Sequence, residues 1–441
     1  MKKRGLSPAI ARSSAIALIV VVVLAVVIGL TYYYTSLPPP LKGTIKIGLM
    51  TSLTGAGSAS GLDQQRAAML AVEEINAAGG IFLSKEGGRF NLTLVVADDQ
   101  SSTQGGPSAM TKLVVQDQVD IVIGGLGSAF ALAALPVVIQ NKIPYIATPS
   151  TPQLTRMANY SADPTKYMVF HYQATGLQYG QAIADFLAQV VRPSVAPTRN
   201  LTVAWLYQES AFGRDFFTGY VQRVAQKGYP LTLVASEKFK IGETDFRAVL
   251  TKIKALGPDV LIPMGFTSEA INMIKQAVNE VQIKAQIGPI CACNDDPSFY
   301  KNVGPAGNGV TIVSLYATYA IPKGDQFKKW QEIRQKFQQR YNTLPGLLGV
   351  SAYDAVYIAA KAFEAAGTKD KAAVIQALQG LSMPQLTLPV QGGTLRFDPQ
   401  FREVQWLLFA QQFYWNASLG EVRAKVIWPS DVAEASFSPI S

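Results

Sequence analysis

The side chains of this 441-residue chain that have the type and spacing for chemistry point to holding a molecule rather than transforming one. It has one histidine, His171, and two cysteines, Cys291 and Cys293, a single residue apart. A hydrolase needs an activated nucleophile or a metal-bound water, and the sequence has neither a G-x-S-x-G elbow nor a ligand cluster at metal spacing. The cysteines read as two small, partly buried thiols, too few for a disulfide framework. No cofactor and no metal is implied. An anion site is legible, however. The short apolar strand Asp120-Ile121-Val122-Ile123-Gly124 leads to Ser128, which opens a predicted helix. Helix N-termini present free N–H groups and the positive end of the dipole, so Ser128 and the neighbouring Ala129 stand where a carboxylate is favoured. Ser128 can equally cap its own helix, and the two roles are compatible.

The elements that must position these groups alternate. Strands are predicted over 44–50, 91–97, 120–124 and 143–147, with helices over 64–78, 106–116 and 128–140. The grammar recurs: strands over 201–206, 231–236, 259–265 and 283–287, and helices over 212–226, 245–255 and 268–279. The phrase Asp259-Val260-Leu261-Ile262-Pro263-Met264-Gly265 repeats Asp120–Gly124. Continuously apolar strands suit sheets buried on both faces. The fold class is therefore α/β, with two doubly wound parallel-sheet lobes. Ligands bind such sheets beyond the carboxyl ends of their strands, so the loops after Met50, Gly124, Ala147, Leu206, Gly265 and Gly288 carry the site. The last third is helical over 325–341, 347–367 and 370–381, then returns to strands over 393–427.

Composition places this domain outside the cytoplasm. Lys2, Lys3 and Arg4 precede an uncharged apolar run from Ala15 to Leu30, followed by Tyr32–Tyr34 and Pro38–Pro40. Residues 15–34 are long enough to span a hydrocarbon core of ~30 Å with the tyrosines at headgroup level. The start Lys3-Arg4-Gly5-Leu6-Ser7-Pro8 resembles archaeal prepilin-type signals, which are cut after the glycine and keep the helix. The expectation is an extracytoplasmic protein anchored to the cell membrane by its N-terminal helix, the alternative being secretion after signal cleavage. Of the net charge of +9, residues 1–43 hold +5, so the rest is nearly balanced and carries no footprint for nucleic acid. Sequons at Asn91, Asn159, Asn200 and Asn416 are candidate glycosylation sites.

An ordered series of phrases carries a resemblance. Ile45-Lys46-Ile47-Gly48-Leu49-Met50 precedes Leu53-Thr54-Gly55; Ala71–Ile81, Asp98-Asp99, Val122–Gly125 and Thr148–Thr155 follow; then come Asp245-Phe246, Pro258-Asp259-Val260 and Tyr353-Asp354-Ala355. Together they resemble the branched-chain amino-acid-binding family of ABC transporter solute-binding proteins, with the type I periplasmic-binding fold. The resemblance implies two lobes joined by three hinge strands, near residues 171–174, 315–318 and 392–395, with His171 on the first. It divides the chain into residues 1–37 (signal or anchor), 38–43 (proline linker), 44–172 with 317–392 (first lobe) and 173–316 with 393–441 (second lobe).

The resemblance also implies ligand-binding roles for Ser60, Ser128, Ala129, Thr148, Ser150 and Thr151 on the first lobe and for Phe212 and Phe266 on the second. Where the family has a glutamate that pairs with the ligand's ammonium, this chain has Ile290. Asp295, Asp296 or Glu209 could substitute from nearby; otherwise the ligand is an apolar acid or amide clamped between two phenylalanines. The implied protein is a monomeric, non-enzymatic component of an ABC importer that closes on a small amino acid or organic acid and delivers it to a permease. The rivals are a ligand-sensing ectodomain, for which the segment before the apolar run is short, and an extracellular hydrolase.

Overall fold

The computed structural model describes residues 20–29, 41–158 and 167–440. Residues 20–29 are helical with exposed apolar side chains. Among the described residues no helix is long and apolar enough to cross a membrane. The remainder of the predicted anchor, the Gly5 cleavage motif and the prolines at 38–40 lie outside the described residues.

The first lobe is built on a six-stranded sheet in the order β2-β3-β1-β4-β5-β6. Its strands are β1 (Leu41–Thr51), β2 (Ile81–Leu83), β3 (Gly88–Asp98), β4 (Ile121–Gly124), β5 (Tyr145–Ala147) and β6 (Val169–His171). All pair in parallel except β2, which returns antiparallel along β3 as an edge. Every residue of β4 is buried, as its unbroken apolar sequence requires of a strand covered on both faces.

The second lobe repeats the plan. Its four parallel strands run β10-β9-β7-β8, with β7 (Leu201–Gln208), β8 (Leu231–Phe239), β9 (Val260–Met264) and β10 (Gln286–Ile287). A parallel bridge between Ile290 and Ile312 continues this sheet to β11 (Thr311–Ser314). Each lobe thus has its first strand inside the sheet, with β1 between β3 and β4 and β7 between β8 and β9, the doubly wound order, with helices between. β12 (Met383–Pro384) and β13 (Thr394–Leu395) form a small hairpin, and β14 (Phe409–Asn416) and β15 (Glu421–Trp428) complete the second lobe beside β11.

The predicted helices are present, with two shifts that matter. The first helix spans Ser58–Ala77, so Ser60 falls in its opening turn rather than in the preceding loop. The third crossing lies later than 392–395: β13 still pairs with β12, Glu403 bridges His171, and the chain enters the second sheet only at Phe409. The two-residue run Thr394–Leu395 is too short to show a period, so the sequence did not separate a local hairpin from a crossing strand.

Candidate ligand-binding site

The cleft between the lobes is lined on one side by Leu126, Ser128, Thr148 and Ser150, and by Leu347 and Leu348 at the head of helix Leu347–Ala366. On the other side stand Tyr179, Phe212, Phe216 and Phe266, with Cys291–Cys293 beside them and Gln173 where the chain crosses. The lobes nearly close on one another here, and the open space left between these side chains is about 30 Å³.

Ser128 owes its place to a stiff turn. β4 ends at Gly124, and both Gly124 and Gly125 have positive φ, near 84° and 85°. A side chain at Gly125 would also meet the Tyr145 hydroxyl and Pro149. Three donors fix the turn: Tyr145 Oη donates to Gly124 O (3.0 Å), Thr148 Oγ1 to Gly125 O (2.7 Å), and Gln64 Nε2 to Thr148 Oγ1 (3.1 Å). Helix Ser128–Asn141 then starts with Gly127 as its N-cap, without a side-chain cap bond. Ser128 is not the cap. Its hydroxyl is 2% exposed and has no hydrogen-bond partner. First-turn N–H groups lack helical acceptors, so the N–H groups of Ser128 and Ala129 flank a free buried hydroxyl. The assembly offers three donors, two N–H groups and one hydroxyl, to an anionic oxygen.

The remaining expected residues separate into lining and framework. Thr148 and Ser150 line the cleft, although the Thr148 hydroxyl proton is committed to Gly125. Ser60, Ala129 and Thr151 are not among the lining side chains. Thr151 instead faces Asp215, on helix Ala211–Lys227 of the opposite lobe, and partly offsets the rise that burial imposes on its pKa. Phe212 and Phe266 do line it, but as one wall rather than two jaws: their rings stack 5.7 Å apart at 14°. Phe130 of the first lobe reaches Phe266 at 6.3 Å across the cleft.

No carboxylate substitutes for the missing glutamate. Asp295 is fully buried behind the wall, where it accepts from Thr318 N (2.9 Å), Tyr300 Oη (3.1 Å) and Gln411 Nε2 (2.7 Å). Asp296 caps helix Pro297–Asn302 and accepts from Thr267. Glu209 is half exposed beside Lys238. Ile290 is buried in the second-lobe core. The lining residues therefore include no Asp, Glu, Lys, Arg or His.

Cys291 and Cys293 are joined as a disulfide rather than standing as free thiols. The 3₁₀ turn Ala292–Asn294 brings their Cα atoms to 5.2 Å, a separation a disulfide can bridge. His171 ends β6, is fully buried, and bonds Pro149 O at 2.5 Å, tying the Thr148–Ser150 loop to the hinge. Burial pushes its pKa down to about 4, partly offset by that bond.

Gln173, Tyr179, Phe216 and the Leu347–Leu348 pair were not expected. Gln173 and Tyr179 follow a hinge strand rather than a strand of the repeating grammar, and Leu347–Leu348 belongs to the helical last third. The only signal for Tyr179 was its place in the first turn of a helix opened by Thr175 and Gln178, a capping box.

The family model described as periplasmic binding protein matches residues 44–406. The chain belongs to that family. Its relatives include the leucine-, isoleucine-, valine-, threonine- and alanine-binding protein of Pseudomonas aeruginosa, 24% identical over 80% of this chain and 86% of the relative. Among solved structures, the branched-chain amino acid transporter substrate-binding protein LivJ of Streptococcus pneumoniae, in complex with isoleucine, superposes with a TM-score of 0.70 at 25% identity, covering 88% of this chain and 100% of LivJ. A solute-binding protein of an ABC transporter from Rhodopseudomonas palustris, in complex with 3,4-dihydroxybenzoic acid, has the same fold: TM-score 0.70, 20% identity, 89% and 98% coverage. This periplasmic binding protein is thus a type I, two-lobed solute-binding protein of the ABC-transporter kind, as the ordered phrases implied.

Proposed function

We propose that this chain captures a small organic acid with an apolar body and no ammonium group outside the membrane and hands it to an ABC permease. One observation carries the reading: a buried, unpartnered Ser128 hydroxyl at a helix N-terminus faces a cleft whose lining bears no charge. A carboxylate gains charge-assisted bonds there. An ammonium would be buried without a counter-charge, at a loss of several kcal/mol. Phe212, Phe216, Phe266 and Leu347 supply the apolar enclosure, each fully covered side chain being worth about 1.5–3 kcal/mol. Among the relatives, amino-acid binders and an aromatic-acid binder share this fold, and the uncharged wall favours the latter chemistry.

Calorimetric titration with 4-methylpentanoate, leucine and benzoate tests the reading. The acids should bind at least tenfold more tightly than leucine; the reverse order sinks it. The apolar run at 15–34 supports an anchor at the cell membrane, with hinge closure of a monomer around the ligand. Membrane fractionation of the expressed chain checks the first, and a smaller radius of gyration with saturating ligand checks the second.

A further inference from the structure

The proton directions around Gln173 are fixed by the backbone. Ala174 N–H can only donate, and it donates to Gln173 Oε1 at 3.0 Å. That orients the amide without ambiguity. Tyr179 Oη, at 3.0 Å from the same oxygen, must then be the donor. On the other side Gln173 Nε2 donates to Ser351 Oγ (3.2 Å), which itself donates to Leu347 O (2.9 Å). Gln173 is 2% exposed and Tyr179 is 1% exposed, yet both line the cleft. Burial holds the Tyr179 phenol protonated, with the charge of Asp295 reinforcing it. Tyr179 is also held parallel to Phe216, with ring centroids 5.0 Å apart.

Two hydrogen-bonding capacities remain. Gln173 keeps one N–H, because its amide has two and Ser351 takes one. Tyr179 keeps an acceptor lone pair, because its proton is committed to Gln173. We infer that Gln173 and Tyr179 recognise a hydroxyl group on the ligand, so that the preferred solutes are hydroxylated small acids rather than the bare acids. A hydroxyl accepts from Gln173 and donates to Tyr179 together. An ammonium offers only protons, which face the Gln173 N–H. A second carboxylate offers only lone pairs, which face the Tyr179 oxygen. The inference rests on the reading of Ser128 as the anion cradle.

The test is titration of the full chain with benzoate and its 2-, 3- and 4-hydroxy isomers, each against wild type, Tyr179→Phe and Gln173→Leu. At least one isomer should bind wild type about five- to tenfold more tightly than benzoate, the worth of a well-made neutral hydrogen bond. Tyr179→Phe should erase most of that advantage, read as the ratio of isomer to benzoate affinity within the same variant, and Gln173→Leu should erase it too. If benzoate binds and no isomer improves on it, or if Tyr179→Phe weakens benzoate and the isomers alike, the inference falls and the anion cradle stands. If Ser128→Ala leaves benzoate binding unchanged, or no acid binds at all, the cradle falls and takes this inference with it.

Discussion

The cleft and the layer directly behind it handle charge in opposite ways. The cleft lining has no Asp, Glu, Lys, Arg or His, while Asp63, Asp295 and Asp296 crowd around the head of helix Leu347–Ala366. Asp63, from the first lobe, accepts from Gly346 N and Gly349 N at 2.9 Å each. A Cβ on Gly346 would strike Asp296 and the Asp295 carbonyl, so the three acids share one patch of buried backbone. Each carboxylate behind the wall is held by at least two donors, whereas in the cleft a donor, Ser128, is left without an acceptor. The contrast shows that an acid near the site in sequence need not be an acid in the site. Buried carboxylates here serve the fold, and the cleft keeps only what a ligand can complete.

The comparison breaks most visibly if Asp295 is dispensable. Asp295→Leu strands the Thr318 N–H, the Tyr300 hydroxyl and the Gln411 amide, and should lower unfolding free energy by about 3–5 kcal/mol in urea titration. Full stability in that variant would mean the acid is poised for a ligand after all. Ser128→Ala is the converse. It should weaken carboxylate binding by about 1.5–3 kcal/mol in calorimetry, and shift thermal stability little, because Gly127 and not Ser128 caps the helix. A large loss of melting temperature with unchanged affinity would move Ser128 to the framework.

A pH series sharpens the comparison further. Burial, then the charge of Asp296, raises the pKa of Asp63 to about 8; burial raises that of Asp296 to about 7, with Asp295 adding to it. Both start near 3.8 in the unfolded chain. Their contribution is complete below that value and is lost as pH rises through 7 and 8, because the unfolded chain releases its protons first. Stability should fall across this range by at most about 1.4 kcal/mol per pH unit for each group. His171, already neutral in the folded chain, is half protonated in the unfolded chain at pH 6.5 and opposes the trend by only about 0.4 kcal/mol between pH 6.5 and 8.5. Melting curves at pH 6.5 and 8.5 should differ for the wild type and differ less for Asp63→Asn, in which Asp296 still titrates; equal differences would remove Asp63 from the account. The smallest effect belongs to Thr148→Val, about 0.5–1.5 kcal/mol of stability through the lost bond to Gly125, read by denaturant titration. A larger loss in affinity than in stability would place its hydroxyl among the ligand's own contacts.

Much of this was legible in the chain. Repeated strand–helix phrases and the apolar Ile121–Gly124 run sufficed for two parallel-sheet lobes, because buried parallel strands leave an unbroken hydrophobic signature. Ser128 was legible because a strand end and a helix start met there. Ser60 was misplaced because its helix opens at Ser58 without a side-chain cap, so the sequence shows no start signal. The two phenylalanines were visible, but their stacking on each other depends on contacts between separate loops. Gln173 and Tyr179 were missed because their role arises from hydrogen-bond direction, set by one backbone N–H and a helix that returns from 178 residues away.

Gln173 joins the lobes through its side chain. It touches Ser351 on a helix packed against the first sheet and Tyr179 on a helix of the second. The detector for the hydroxyl is built locally from Ala174, Gln173 and Tyr179, and its bond to Ser351 ties it to the first lobe, whereas the cradle at Ser128 belongs to one lobe alone. An acid without the hydroxyl can dock on the cradle yet leave the detector empty, holding the protein in a form with less to stabilise closure. Such molecules would compete for the protein without being carried. On that reading a ligand is screened twice, once by what lands and again by what shuts the door.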